Sequence, residues 1–155
     1  MGTRSTTRII ERRDGYDRTL LVFYRQYDGY PEEHGRQIVE FLNGIKMCNG
    51  IPLGKTQEKQ LANGAGCLAA QMLVHFKTAV ENRIYKPEYA GMGISEIDKG
   101  NHVGGIYVYP EEQHGLEQYT YEVIIADNEI SSVSWECCDG RKGEWIFRDG
   151  LPTRP

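Results

Sequence analysis

The chain has 155 residues, a formal net charge of −4, 39% hydrophobic and 26% charged residues. That is the size and composition of one globular domain, residues 1–155, able to bury a core without disulfide or metal staples. The longest apolar runs, Leu20–Phe23 and Val123–Ala126, fall far short of the roughly 18 residues a membrane helix needs. No apolar run follows the N-terminal arginines as a secretory leader requires, so the expected setting is the cytoplasm. The acidic balance argues against a general nucleic-acid binder.

Residues 5–13 read as a first strand and Asp14-Gly15 as a turn. Residues 18–27 form the strongest strand, rich in β-branched and aromatic side chains, and the two make a hairpin. Pro31 suits the first turn of a helix, with Glu32 and Glu33 complementing its positive end. Ile38, Val39, Phe41 and Leu42 supply its apolar stripe, and Asn43-Gly44 stops it. Residues 45–63 carry no regular pattern. A second helix spans about 65–80, with Ala65, Leu68, Ala69, Met72, Leu73, Phe76 and Val80 at helical spacings. A loop over 81–101 follows, then strands at 103–109, 118–126, 130–136 and 144–148. Asp127-Asn128 and Asp139-Gly140 suit hairpin turns. Strands and helices do not alternate, which predicts an α+β fold. Its sheet is mostly antiparallel, of five to six strands, with two helices packed on one face.

Charge is uneven along the chain. Residues 1–30 hold six arginines against four acids, whereas residues 110–130 hold six acids and no Lys or Arg. Two solvated strand faces of opposite bias account for this. The cysteines are Cys48, Cys67, Cys137 and Cys138, with no C-x-x-C pair and no histidine at zinc-finger spacing. All four are expected as reduced thiols. Strand alternation places Cys137 and Cys138 on opposite faces. No metal or cofactor is implied.

Met1-Gly2-Thr3-Arg4-Ser5, together with Tyr24-Arg25-Gln26-Tyr27-Asp28-Gly29-Tyr30-Pro31-Glu32-Glu33-His34-Gly35, resembles a group of small uncharacterised phage and bacterial proteins. Members begin M-G-T-R and carry an aromatic-Asp-(Gly/Ser)-Tyr-Pro-x-x-x-Gly element after the second strand. The resemblance covers about the first 40 residues and carries over no catalytic residue. It implies a prokaryotic or phage origin, a cytoplasmic setting (the host's, if phage-encoded) and an accessory role. By analogy such a protein acts against host defence, gripping a defence protein or sequestering a nucleotide-like signal.

The ligand-binding candidates are Arg4, Tyr24, Arg25, Tyr27, Asp28, Tyr30 and His34. Arg25 offers a bidentate phosphate contact, the following helix N-terminus an anion site, His34 a tunable donor, and Tyr27 or Tyr30 a face for a base. The plainer expectation is that Tyr30-Pro31 packs the strand–helix corner and Asp28 caps the helix. An enzyme reading rests on Cys67 near a helix N-terminus, with His34, His102 or His114 as base; His75, two turns along the same helix, is too far to serve directly. Buried small cysteine is the plainer outcome there. Gly50-Ile51-Pro52-Leu53-Gly54-Lys55-Thr56 is one residue short of a P-loop, and Met1-Gly2-x-x-x-Thr6 matches a myristoylation pattern that needs a eukaryotic host. Glu111-Glu112…Glu117 lacks EF-hand spacing. Tyr107, Tyr109, Tyr119 and Tyr121 suit cross-strand aromatic pairs. The leading reading is a non-catalytic binding protein, with a homo-oligomer compatible and a small Cys/His enzyme as the alternative.

Overall fold

The computed structural model describes residues 2–50, 60–84, 105–110, 117–148 and 151–152. The fold is α+β. Strands β1 (Ser5–Arg13) and β2 (Tyr16–Arg25) form a hairpin. Its turn residues, Asp14 (φ 53°) and Gly15 (φ 78°), adopt the left-handed conformation that such two-residue turns require. A π-helical turn (Pro31–Gly35) leads into α1 (Arg36–Asn43). β3 (Ile45–Cys48) and β4 (Gln60–Asn63) make a small parallel pair, and β4 runs directly into α2 (Gly64–Ile84). β5 (Ile106–Val108), β6 (Tyr119–Ala126), β7 (Glu129–Cys137), β8 (Lys142–Arg148) and β9 (Leu151–Pro152) follow.

The main sheet has the order β5-β2-β1-β6-β7-β8, extended at the β8 edge by the two-residue β9. Every pairing is antiparallel except β1–β6, where Ser5 stands opposite Tyr119 and Arg12 opposite Ala126. This pairing resolves the uneven charge. The arginine-rich strand lies beside the acidic one, with Arg8 opposite Glu122. Arg12 pairs with Asp17 (2.7 Å) and Arg18 with Glu11 (2.6 Å) at the exposed end of the hairpin.

Both helices cover one face of this sheet. Ile9, Phe23, Tyr121, Val123 and Val133 on the strands meet Ile38 and Leu42 of α1 and Leu68, Met72 and Phe76 of α2. The spacing of these residues within each helix is that of one buried stripe. Phe23 and Phe76 stack at 5.8 Å across the helix–sheet contact. Three sequence expectations are corrected. α2 continues to Ile84, into the segment read as loop. Residues 45–48 and 60–63 pair as strands; their mixed polar pattern had hidden them because only Ile45 and Ala62 are buried there. The strand read at 103–109 is regular over Ile106–Val108.

Two glycines test this packing. A Cβ on Gly35 would lie 2.8 Å from the Trp145 ring and 3.2 Å from Tyr121, whereas a Cβ on Gly66 meets nothing within 4 Å. Gly35→Ala is expected to destabilise by about 1–3 kcal/mol through overpacking. Gly66→Ala, in an exposed helical position, is expected to stabilise by about 0.5 kcal/mol. Urea denaturation of both variants checks the opposite signs.

Candidate functional site

The two sequence elements that carry the resemblance fold against each other. The Gly29 N–H donates to the Thr3 carbonyl (2.9 Å). A Cβ on Gly29 would lie 2.7 Å from the Ser5 Cβ, and one on Gly2 would lie 2.7 Å from the Gln26 carbonyl oxygen and collide with the Tyr27 ring. The Tyr121 hydroxyl donates to the Gly29 carbonyl (2.8 Å) within the core. Small residues at 2 and 29 are therefore demanded by close backbone approach.

Beneath this contact lies a polar junction on the helix-covered face. Arg25 is 1% exposed. Its Nη1 donates to His34 Nδ1 (2.8 Å) and to Gln37 Oε1 (2.7 Å), and its Nε donates to the Tyr27 carbonyl. Because a guanidinium only donates, His34 Nδ1 accepts; Nε2 then carries the proton and donates to Thr7 Oγ1 (2.9 Å). His34 is thus the neutral Nε2–H tautomer, walled by Phe23, Phe76 and Tyr121 with ring centroids 5.1–6.1 Å away. Burial holds the Tyr121 hydroxyl protonated, far above its ordinary range. Gln37 passes the network on to Glu33 through Nε2 and Oε1.

This placement corrects the expected roles of several residues. Arg25 and His34 face inward and hold the turn to the sheet, so neither presents a surface phosphate contact or an open donor. Asp28 is exposed with φ 55° and forms the bend itself; the residue at the head of the π-helical turn is Tyr30, with no side-chain cap. The turn makes no anion site. Pro31 lacks an N–H, the N–H groups of Glu33 and His34 donate to the Tyr30 carbonyl, and two carboxylates stand beside it. Cys67 is half-buried, its sulfur 3.5 Å from Gln71 Nε2, and both ring nitrogens of His34 are engaged elsewhere. His75 packs on Phe41 at 4.6 Å, and burial pushes its pKa down. The 51–56 segment, Glu111, Glu112, His102 and His114 lie outside the described residues.

The other face of β2 carries a different cluster. Tyr24 stacks on Tyr109 with centroids 5.0 Å apart and planes 9° from parallel, and leans on its register partner Tyr107 at 6.2 Å. The Tyr24 hydroxyl donates to Gln26 Oε1 (2.7 Å). Burial raises the pKa of that hydroxyl, while the positive charge of the nearby Arg4 guanidinium pulls the other way. Tyr107 is 47% exposed and Lys77 Nζ lies 5.8 Å from its ring centroid. Aromatic faces with Arg4, Lys77 and the Gln26 amide converge at the β5 edge. Among the ligand candidates, Arg4 and Tyr24 meet here. Gln26, Tyr107, Tyr109 and Lys77 were missed as site residues; Tyr107 and Tyr109 were legible only as cross-strand pairs, a pattern that Tyr24–Tyr107 satisfies. Tyr119 leans on Trp135 (6.0 Å).

Further along the same outer face a shallow depression of about 400 Å³ is lined by Thr120, Glu122, Ser134, Glu136, Lys142 and Glu144, among others. Three carboxylates to one ammonium make it unsuited to an anion. Among the described residues no group of three His, Cys, Asp or Glu is placed to hold a metal, and no helix is long and apolar enough to cross a membrane.

Comparison with known protein families, curated proteins and solved structures finds no match to this chain.

His34→Ala is expected to cost about 3–5 kcal/mol, because it strands a buried guanidinium as well as opening a cavity. Thr7→Val, which removes only the acceptor of the Nε2–H, is expected to cost about 1–3 kcal/mol. Chemical denaturation of the singles and the double variant gives both values and their coupling.

Proposed function

We propose that this chain is a non-catalytic binding protein of phage or bacterial origin, working in the cytoplasm. Its role is that of an anti-defence protein that sequesters a nucleotide-like signal, with blockade of a host defence protein as the related outcome. The observation that carries the reading is the Tyr24–Tyr109 stack, with the Arg4 guanidinium near the Tyr24 hydroxyl. A nucleotide needs a π-face for its base and a cation for its phosphate, and this cluster supplies both beside the β5 strand. Arg25 and His34 serve it from behind, fixing the strand end on which Tyr24 stands.

The exposed Tyr27, Tyr107 and Val108 around the same edge favour the protein-blocking version, since tyrosine is prominent at binding hot spots. A small enzyme built on Cys67 and His34 is the rival class; it lacks an open ring nitrogen at His34 to serve as base.

The test is native mass spectrometry of the purified protein, alone and with a panel of linear and cyclic ribonucleotides. One nucleotide-sized adduct that is recovered chemically intact after long incubation supports sequestration. Turnover of the nucleotide refutes it in favour of an enzyme. Tyr109→Ala and Arg4→Ala are each expected to weaken binding by about 1–3 kcal/mol, roughly 5- to 150-fold. Unchanged affinity in both folded variants removes the cluster from the site.

A further inference from the structure

The segment between β2 and α1 is pinned to the sheet by a side chain that titrates close to neutrality. His34 is fully buried where the π-helical turn meets β1, β2, β6 and α2. Its Nδ1 faces Arg25 Nη1 at 2.8 Å. A guanidinium only donates, and it keeps its charge at every working pH. A proton on Nδ1 would therefore oppose two donors and two positive charges at hydrogen-bond distance, inside a wall of Phe23, Phe76 and Tyr121.

The other titratable groups around the ring are committed elsewhere. From α1, Gln37 accepts from Arg25 and donates to Glu33, whose carboxylate also pairs with Arg36. From β6, the Tyr121 hydroxyl stays protonated and donates to the Gly29 carbonyl; the Glu32 charge acts on that hydroxyl. From α2, His75 packs on Phe41. From β1, Thr7 meets Nε2 and carries no charge. The same segment is tied to the sheet by the Gly29 N–H on the Thr3 carbonyl and by the passage of Gly35 against Trp145.

We propose that residues 28–35 form an acid-released latch, docked on the sheet while His34 is neutral and set free when His34 takes a proton. A solvated imidazole titrates near about pH 6.5. The released state binds the proton and the docked state excludes it, so docking is at full strength above that pH and weakens below it. Release frees the start of α1 from β1 and β2 and uncovers the Phe23, Phe76 and Tyr121 wall.

Hydrogen exchange read by NMR on the whole chain tests this between about pH 7.5 and 5.5, above the ordinary carboxylate range. Rates are corrected for intrinsic exchange. The Gly29 and His34 amides report the latch, and the β1–β6 ladder amides report the core. The latch amides are expected to open more readily than the ladder at every pH. Their opening constant is expected to rise about tenfold over the window, mostly below pH 6.5, as uptake of one proton requires. His34→Asn keeps an oxygen facing Arg25 but cannot take a proton, and its opening is expected to be independent of pH. His75→Gln is expected to keep the wild-type rise. Latch amides that open only together with the ladder, an opening that does not rise, or a rise that survives in His34→Asn overturns the proposal. If His34→Asn does not fold, the imidazole nitrogen signals of the wild type decide. A His34 ring that stays neutral while Gly29 is protected supports the latch, and one that becomes doubly protonated while Gly29 stays protected overturns it.

Discussion

A guanidinium buried in an apolar interior is the constraint on which the rest of this fold turns. Removing Arg25 from water costs several kcal/mol unless each of its donors finds an acceptor. Those acceptors come from scattered places: the Tyr27 carbonyl just beyond β2, His34 in the π-helical turn, and Gln37 in α1. The acceptor His34 must in turn place its remaining proton on Thr7 of β1. One charge thereby fixes the imidazole tautomer, the entry angle of α1 and the registration of the turn against the first hairpin. The turn's composition follows from this demand. Asp28 supplies the sharp bend, Gly29 lets the backbone pass Ser5, and Gly35 makes room for Trp145.

Much of the scaffold was readable from residue order. Alternation and turn chemistry placed β1 at residues 5–13, and the Ala65-to-Phe76 periodicity placed α2. What escaped did so for physical reasons. Arginine and histidine beside a Tyr-Asp-Gly-Tyr-Pro turn read as surface chemistry, because nothing local shows that two helices will close over them. β3 and β4 are too short and too polar to announce themselves, and each depends on the other for its hydrogen bonds. Of the candidate ligand residues, Arg4 and Tyr24 come together, but their companions Tyr107 and Tyr109 arrive on β5 and just after it, late in the chain, where no local pattern links them to β2.

Arg25 and Tyr24 are adjacent, so the strand presents one to the core and the other to the opposite face. The inner junction and the outer aromatic cluster are therefore two sides of one strand end. Rigidity gained inside positions the ring outside, which is how a small protein builds a preorganised surface with few residues. The segment leading into β1 is tied to the β7–β8 turn through the backbone: the Gln118 N–H donates to the Arg4 carbonyl (3.0 Å) and the Gln118 carbonyl accepts from the Cys138 N–H.

β1 sits between a neighbour that follows it at once and another, β6, that arrives only after both helices. Joining β1 to β6 closes a long loop, a feature that slows folding. During synthesis the first hairpin forms within microseconds, yet the second edge of β1 waits on the order of ten seconds for β6 to leave the ribosome. For that interval the nascent chain exposes an unpaired strand, the kind that recruits other chains. Arg8 and Arg12 lie along it. The arginines that later meet the acidic strand thus begin as charged guards, keeping the incomplete sheet from pairing with its neighbours on the polysome.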